Sequence, residues 1–189
     1  MGRLALVAAL AAMAGPAGPT RVVLETDLGE IEIAVEAARA PRTAANFLRY
    51  VDAGRYDGGR FHRTVRKDNQ PGQAVSIAVV QAGVAPRQEA SDFPPVALER
   101  TRDTGLRHRD RTVSMARAGP DTATSDFFVC LGDQPGLDFG GRRNPDGQGF
   151  AAFGRVMRGM DVVRRIHRAP SRGQALDPPV AIRRARRVP

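Results

Sequence analysis

Apolar and polar positions alternate along several short segments of the chain, which is the pattern of half-buried β-strands. Residues 30–35 alternate charged and apolar side chains, and residues 21–26 are rich in β-forming side chains. Residues 27–29 between them end in glycine and can turn, so the two segments predict a β-hairpin. Further strands are predicted at residues 61–65, 75–81, 111–116, 125–131 and 150–156, and around Val180 and Ile182.

Two other segments have the period of an amphipathic helix. The first begins at Pro41, which suits the first helical turn, and ends before Gly54, which is a natural C-terminal stop. Its apolar side chains recur at helical spacing, at Ala44, Phe47, Leu48 and Val51. The second helix is predicted at residues 160–168. Many short antiparallel strands with two helices predict a closed β-barrel with helical plugs rather than alternating βα units.

The first residues have the pattern of a targeting segment. Arg3 precedes the apolar run 4–14, which is too short to span a bilayer as a stable anchor. Ala12-Met13-Ala14 fits the small-x-small cleavage pattern. We therefore expect residues 1–19 to be a signal peptide with a short linker, and residues 20–189 to be one exported domain, periplasmic or secreted, without a membrane anchor. A buried first helix is the alternative, against which the helix-breaking Gly15 and Pro16 argue.

Composition is that of an ordinary soluble domain, with 189 residues of which 42% are apolar and 26% charged. The net charge of +9 comes almost entirely from scattered arginines. Because aromatic residues do not interleave with them, a solvated basic surface is favoured over a nucleic-acid interface. The one cysteine, Cys130, cannot form an internal disulfide and is expected to be a buried apolar residue. The histidines lack metal-ligand spacing, and hydrolase and phosphate-loop motifs are absent, so neither metal nor cofactor is expected.

Four segments in order resemble the cyclophilin family of peptidyl-prolyl cis-trans isomerases. They are Phe-His-Arg-Thr-Val at 61–65, Val-Val-Gln-Ala-Gly at 79–83, Ser-Met-Ala-Arg-Ala-Gly-Pro at 114–120 and Ser-Asp-Phe-Phe-Val at 125–129. Residues 137–138, 153–156 and 159–163 extend the resemblance, which runs from about residue 21 to the end of the chain. It implies an eight-stranded antiparallel β-barrel capped by two α-helices, in agreement with the pattern of strands and helices.

The resemblance also implies that Arg63 is the catalytic residue. Rotation about an X–Pro bond breaks amide resonance, and the prolyl nitrogen gains a localised lone pair in the twisted transition state. A donor aimed at that lone pair binds the transition state more tightly than the planar ground states. Arginine suits this role because it is always charged, planar and rich in donors. The alternative for Arg63 is a surface arginine in an ion pair.

The proline ring needs an apolar cup, for which the resemblance supplies Val79, Phe128, Leu137 and Phe150. Gln81 and the backbone of Ala116 and Arg117 are expected to hydrogen-bond the substrate chain. The alternatives are plain barrel core for the apolar residues and a strand-end polar residue for Gln81. Strand alternation turns Phe127 away from Phe128, so Phe127 is expected to be structural, as is His62.

The chain also departs from the family pattern near the expected pocket. Ala78 and Val79 replace phenylalanine and methionine, Arg117 replaces asparagine, and Asp126 replaces glutamine. Gly136 falls at a tryptophan and Phe150 at a histidine, and the loop between residues 65 and 77 is long. The expected partners remain proline-containing polypeptides, with weak cyclosporin binding left open, and the expected state is a monomer.

Three functions follow from these observations. The leading one is isomerisation of X–Pro bonds in exported proteins, which assists their folding. A proline-peptide-binding chaperone of the same fold, with little or no catalysis, is the alternative that the departures motivate. A basic nucleic-acid binder is the third, and predicted export argues against it.

Overall fold

The structure, a computed structural model, describes residues 20–86 and 93–189. The predicted signal peptide and linker at residues 1–19 therefore lie outside the described residues, apart from the start of the domain at Thr20. In the described part, the strands are β1 (Thr20–Thr26), β2 (Gly29–Val35), β3 (Arg60–Val65), β4 (Val79–Gly83), β5 (Thr112–Met115), β6 (Phe127–Cys130), β7 (Ala151–Arg158), β8 (Ser171–Arg172) and β9 (Ala175–Val188). The α-helices there are α1 (Pro41–Asp52), α2 (Thr101–Thr104) and α3 (Met160–Arg168), with short 3₁₀ helices at Lys67–Asn69 and Pro135–Leu137.

Eight of these strands form a closed antiparallel barrel. The order around it is β1, β2, β7, β5, β6, β4, β3 and β9, and β9 pairs back onto β1 to close the ring. The two-residue β8 pairs with the start of β9 as an added hairpin. The eight-stranded barrel predicted from the sequence is confirmed, and closure leaves these eight strands without an exposed edge.

Some element boundaries differ from the prediction, for a physical reason. The strand expected over residues 75–81 begins at Val79. The backbone amides of Ile77 and Ala78 donate instead to side-chain oxygens, those of Gln70 and Gln134, each at 3.2 Å. The closing strand is longer than expected and reaches Val188, because β9 pairs first with β3 and then with β1.

The barrel interior and the two longer helices share one aromatic core. Phe47 of α1 contacts Phe127 and Phe153 with ring centroids 5.4 and 5.0 Å apart, and Tyr56 meets Phe127 at 5.4 Å. The apolar face of α3, formed by Val162, Val163 and Ile166, is buried as its period predicted. Phe127 is fully buried here, which confirms the structural role expected for it.

A smaller apolar cluster lies on the other face of β4 and β6. Phe128 and Cys130 belong to it, whereas Phe127 and Val129 belong to the main core, as strand alternation requires. Val65, Ile77, Val79 and Leu137 complete this second cluster. Burial raises the pKa of the Cys130 thiol, so this cysteine is an inert apolar residue. The partition of β6 between two clusters supplies the apolar base of the surface groove described next.

Candidate active site

A surface groove of about 530 Å³ lies over the second apolar cluster. All the residues that the sequence analysis placed in the site line this groove: Arg63, Val79, Gln81, Ala116, Arg117, Phe128, Leu137 and Phe150. They come from β3, β4, β6 and the segments that flank β5 and β7. The structure therefore brings the eight residues together in one concave surface, with Arg63 on the same groove as the apolar rings.

Arg63 is held by two neutral amides. It pairs across the β3–β4 ladder with Gln81, and its Nη1 donates to Gln81 Oε1 at 2.8 Å. On its other edge, Nε and Nη2 donate to Gln174 Oε1 at 2.9 and 2.6 Å. Because neither partner of Arg63 in the described residues is a carboxylate, the alternative of a surface ion pair is wrong. Burial lowers the pKa of Arg63 from its ordinary value, and the charge of Asp126 opposes that effect.

Asp126 fixes the orientation of the Gln81 amide. Gln81 Nε2 donates to Asp126 Oδ2 at 2.7 Å, and a carboxylate can only accept. Gln81 must therefore turn its Oε1 toward Arg63, whose guanidinium can only donate. His62 contacts the same carboxylate from outside the groove, with Nε2 3.4 Å from Oδ2. Sequence reasoning noted Asp126 only as a departure and did not single out Gln174.

The apolar side of the groove is built on Phe128. The Phe150 ring meets it edge-on at 5.4 Å, and Leu137 is almost completely buried beside them. The Phe150 amide donates to the Leu137 carbonyl at 3.0 Å, which ties two of the groove walls together. Val79 adds a smaller side chain to the same cluster. These residues form an apolar cup that a pyrrolidine ring can enter.

Arg117 and Ala116 contribute less to substrate contact than the sequence indicated. The Arg117 side chain is 1% exposed and forms a bidentate pair with Asp146 at 2.8 and 2.9 Å. Its guanidinium also lies 5.0 Å from the centroid of the Phe150 ring, so this side chain supports the cup wall from behind. The Ala116 amide already donates to the Asp126 carbonyl at 2.8 Å. A hydrogen bond from the Ala116 main chain to substrate must therefore use its carbonyl oxygen.

A buried polar network lies beneath Phe128. His108 Nδ1 lies 2.7 Å from Asp138 Oδ1, and its Nε2 lies 2.9 Å from Ser114 Oγ. The His108 ring is stacked on Phe128 with centroids 6.0 Å apart. Ser114 is fully buried, so this Ser-His-Asp arrangement has no access to a substrate carbonyl and is structural. The sequence gave no local indication of it, because His108 and Asp138 are 30 positions apart.

The Asp138 carboxyl is kept ionised by its partners. Burial alone would raise the pKa of Asp138, but hydrogen bonds from the His108 ring and amide and the charge of Arg107 outweigh it. The pKa of Asp138 is therefore below its ordinary value. Its carboxylate accepts from the His108 amide at 3.0 Å as well as from the ring. This network fixes Leu137, the neighbour of Asp138, and the ring beneath Phe128.

Two loops meet at the end of the groove where the family pattern has a tryptophan. A side chain on Gly136 would place its Cβ 2.5 Å from Val75 Cγ1, so the long loop after β3 fills that space. Gln70 is buried and holds this loop together, with Nε2 donating to the carbonyls of Arg66 and Ile77 at 2.8 and 2.7 Å. Arg143 donates to Gln70 Oε1 at 2.9 Å and also lines the groove. The only sequence indication of Arg143 was the length of its loop-rich segment.

Metal ligation was also considered for residues 20–86 and 93–189. Within these ranges, no three His, Cys, Asp or Glu side chains are grouped so that they could hold a metal ion. Nor does any helix there combine the length and apolar character needed to cross a membrane. The chemistry of the groove is therefore discussed in terms of its own side chains.

Comparison with known proteins gives a consistent result. The family model for "Cyclophilin type peptidyl-prolyl cis-trans isomerase/CLD" matches residues 21–187. The chain is 39% identical over 145 residues to peptidyl-prolyl cis-trans isomerase cyp18 of Streptomyces antibioticus, covering 75% of this chain and 80% of the relative. It is 39% identical over 148 residues to peptidyl-prolyl cis-trans isomerase A of Dickeya dadantii, covering 78% and 70%.

Among solved structures, a cyclophilin type peptidyl-prolyl cis-trans isomerase of Cryptosporidium parvum, crystallised in the presence of the dipeptide Ala-Pro, superposes with a TM-score of 0.71. The match covers 89% of this chain and 99% of that one. At 19% identity it shows the fold alone. The sequence matches, in contrast, span both the barrel and the residues of the groove.

Proposed function

This chain belongs to the cyclophilin-type peptidyl-prolyl cis-trans isomerase family, and we propose that its groove binds a proline-containing segment while Arg63 catalyses rotation of the X–Pro bond. Peptidyl-prolyl isomerisation is the activity of the enzyme, and the assignment of roles within the groove is the proposal. The observation that carries it is the guanidinium of Arg63, held by two neutral amides beside an apolar cup.

The geometry of Arg63 suits a transition-state donor. Of the five guanidinium N–H groups, three are used in the hydrogen bonds to Gln81 and Gln174. One N–H on each terminal nitrogen is left for the substrate. Those donors can bond the prolyl nitrogen when its lone pair localises, and this bond is weak in the planar ground states. The uncatalysed barrier is about 18–20 kcal/mol, and each tenfold acceleration needs about 1.4 kcal/mol of preferential binding.

The neutral partners matter for the strength of that donor. A carboxylate bonded directly to Arg63 would compensate its charge and compete for its N–H groups. The amide oxygens of Gln81 and Gln174 orient the plane without neutralising it. The full positive charge therefore remains available to the substrate in a groove where water is partly excluded, which strengthens the interaction.

The wild-type enzyme provides the direct test. An X–Pro tetrapeptide should exchange between cis and trans faster in its presence, as measured by protease-free NMR exchange spectroscopy. Uncatalysed exchange takes on the order of tens to hundreds of seconds, so acceleration is easily seen. Peptide binding without any acceleration would favour the alternative, a proline-peptide-binding chaperone of the same fold.

Asp126 is expected to affect turnover through Gln81. In Asp126→Leu the Gln81 amide loses its acceptor and can rotate, so Arg63 is held less well. A hydrogen bond to a charged group contributes about 1.5–3 kcal/mol, and we expect kcat/KM to fall about tenfold. Asp126→Asn, which can still accept from Gln81, should lose less. Asp161→Leu on the exposed face of α3 is the control, and equal kcat/KM values for Asp126→Leu and wild type would contradict this role.

We further propose that the enzyme acts on exported polypeptides. The support is the sequence of the first residues, with Arg3 before the apolar run 4–14 and the small residues Ala12 and Ala14. Expression of the full chain in a bacterium, followed by fractionation and intact mass measurement, should yield a shortened protein outside the cytoplasm. A full-length cytoplasmic product would refute export and leave the isomerase assignment untouched.

A further inference from the structure

Three arginines line the groove, and they differ in what balances their charge. Arg117 is paired bidentately with Asp146. Arg63 is bonded to amide oxygens, as described above. Arg143, in the loop between Leu137 and Phe150, donates through Nη1 to the Gln70 side chain at 2.9 Å and to the Val75 carbonyl at 2.7 Å. Its partners in the described residues are therefore neutral, like those of Arg63.

The bonds of Arg143 leave most of its guanidinium unused. Both contacts are made by Nη1, which carries two of the five N–H groups. Within residues 20–86 and 93–189, no side chain or carbonyl occupies the remaining donors on Nε and Nη2. The role of Arg143 as a brace between two loops therefore requires one nitrogen, and the rest of the fork is free to bond a ligand in the groove.

The groove carries an excess of positive charge. The charge of Arg63 contributes, after burial, to lowering the pKa of Arg143, which shows that the two guanidinium groups repel each other. Asp126 is the acidic side chain among the described residues that line the groove, and it already accepts from Gln81. Two cations with neutral partners thus face a single engaged carboxylate. A carboxylate on the substrate would relieve the repulsion and bond the free fork of Arg143, a geometry that arginine favours.

We infer that Arg143 is a specificity-determining residue that gives this isomerase a preference for substrates with a carboxylate side chain adjacent to the proline. The inference rests on the proposed function, because it assigns the substrate class of the same groove. It concerns a residue in a loop for which the motifs of the barrel make no prediction.

The experiment compares peptides that differ by one charge. Two tetrapeptide sets carry Glu, Gln or Lys, one set directly before the proline and the other directly after it. Protease-free NMR exchange gives kcat/KM for each with the wild type. We expect the Glu peptide to exceed the Gln peptide about five-fold in one of the sets, the size of a partly screened ion pair, and Lys to fall below Gln.

Variants connect the preference to Arg143. In Arg143→Gln the Glu-to-Gln ratio should fall to about one, because the charge is gone. Arg142→Gln is the matched control, since Arg142 is the adjacent, exposed arginine and does not line the groove. Its ratio should equal that of the wild type. Circular dichroism and the Tm show whether each variant is folded.

A salt titration needs no variant at all. The wild-type Glu-to-Gln ratio should fall toward one between low ionic strength and about 0.5 M NaCl, because exposed charges are screened. The inference is overturned if the wild-type ratio is one at low salt in both sets, if it does not respond to salt, or if folded Arg143→Gln retains it. Failure of the proposed function is distinct, since then the wild type would not accelerate the Gln peptides either.

Discussion

Arg63→Ala should lower kcat/KM for X–Pro isomerisation about 100-fold while the barrel stays folded. Removal of a preorganised donor to a developing charge costs about 2.7–4 kcal/mol in other enzymes, and Arg63 is the donor that the groove aims at the proline. Its side chain lies in the groove rather than in the main core, so its loss opens no cavity there. Protease-free NMR exchange on one X–Pro peptide measures the loss.

Two further variants show whether the effect comes from the donor. Arg63→Lys keeps the charge but cannot bond Gln81 and Gln174 together, so it should recover only part of the activity. Arg60→Ala removes another arginine of β3 that does not line the groove, and it should behave as the wild type. If folded Arg63→Ala stayed within about two-fold of the wild-type kcat/KM, Arg63 would not be the catalytic residue.

His108→Ala should reduce the free energy of unfolding by about 3–5 kcal/mol. The substitution leaves the Asp138 carboxylate in a mostly buried position without its ring partner, and it leaves the buried Ser114 hydroxyl without one as well. It also removes the ring stacked on Phe128, so the cup should lose shape. Urea denaturation followed by circular dichroism measures the change.

A second histidine provides the matched control for this loss. His62 contacts Asp126 at 3.4 Å, but both side chains are about one-third exposed. Because a solvated pair contributes at most about 1 kcal/mol, His62→Ala should be much less destabilising than His108→Ala. Equal losses in the two variants would show that the buried network has no special part in stability.

The same network sets an acid limit on stability. The pKa of Asp138 is lower in the folded protein than in the unfolded chain, where an aspartate titrates at about 3.9. The stability that this shift contributes is therefore complete above about pH 4 and is lost as the pH falls through the folded-state pKa. Urea midpoints measured downward from pH 5 should fall for the wild type, and Asp138→Asn should lose the part of that slope due to this residue. An identical slope in both would refute it.

Much of the fold follows from local patterns in the chain. The β1–β2 hairpin, α1 and α3 were predicted within one or two residues, because each buries one face and its burial period is written in consecutive residues. Alternation also separated Phe127 from Phe128 correctly, which placed one ring in the core and the other in the groove. The family motifs then named the eight residues that line that groove.

The partners of those residues were not predictable in the same way. Gln174 lies 111 positions from Arg63, and Asp126 lies 45 positions from Gln81, yet together they orient the guanidinium. Arg117 was expected to present its backbone to substrate, whereas its side chain is turned to Asp146 behind the cup. No local period specifies such pairs, because they form only when distant strands and loops are brought together.

The sequence by itself determined the barrel, its two main helices and the identity of the groove residues. Tertiary structure alone decided that the catalytic arginine keeps neutral partners, that a buried His108–Asp138 pair supports the cup, and that Arg143 enters the groove. The physical reason is that burial periodicity is a property of neighbouring residues. Hydrogen bonding and charge balance, in contrast, depend on which side chains the closed barrel places within a few ångströms of one another.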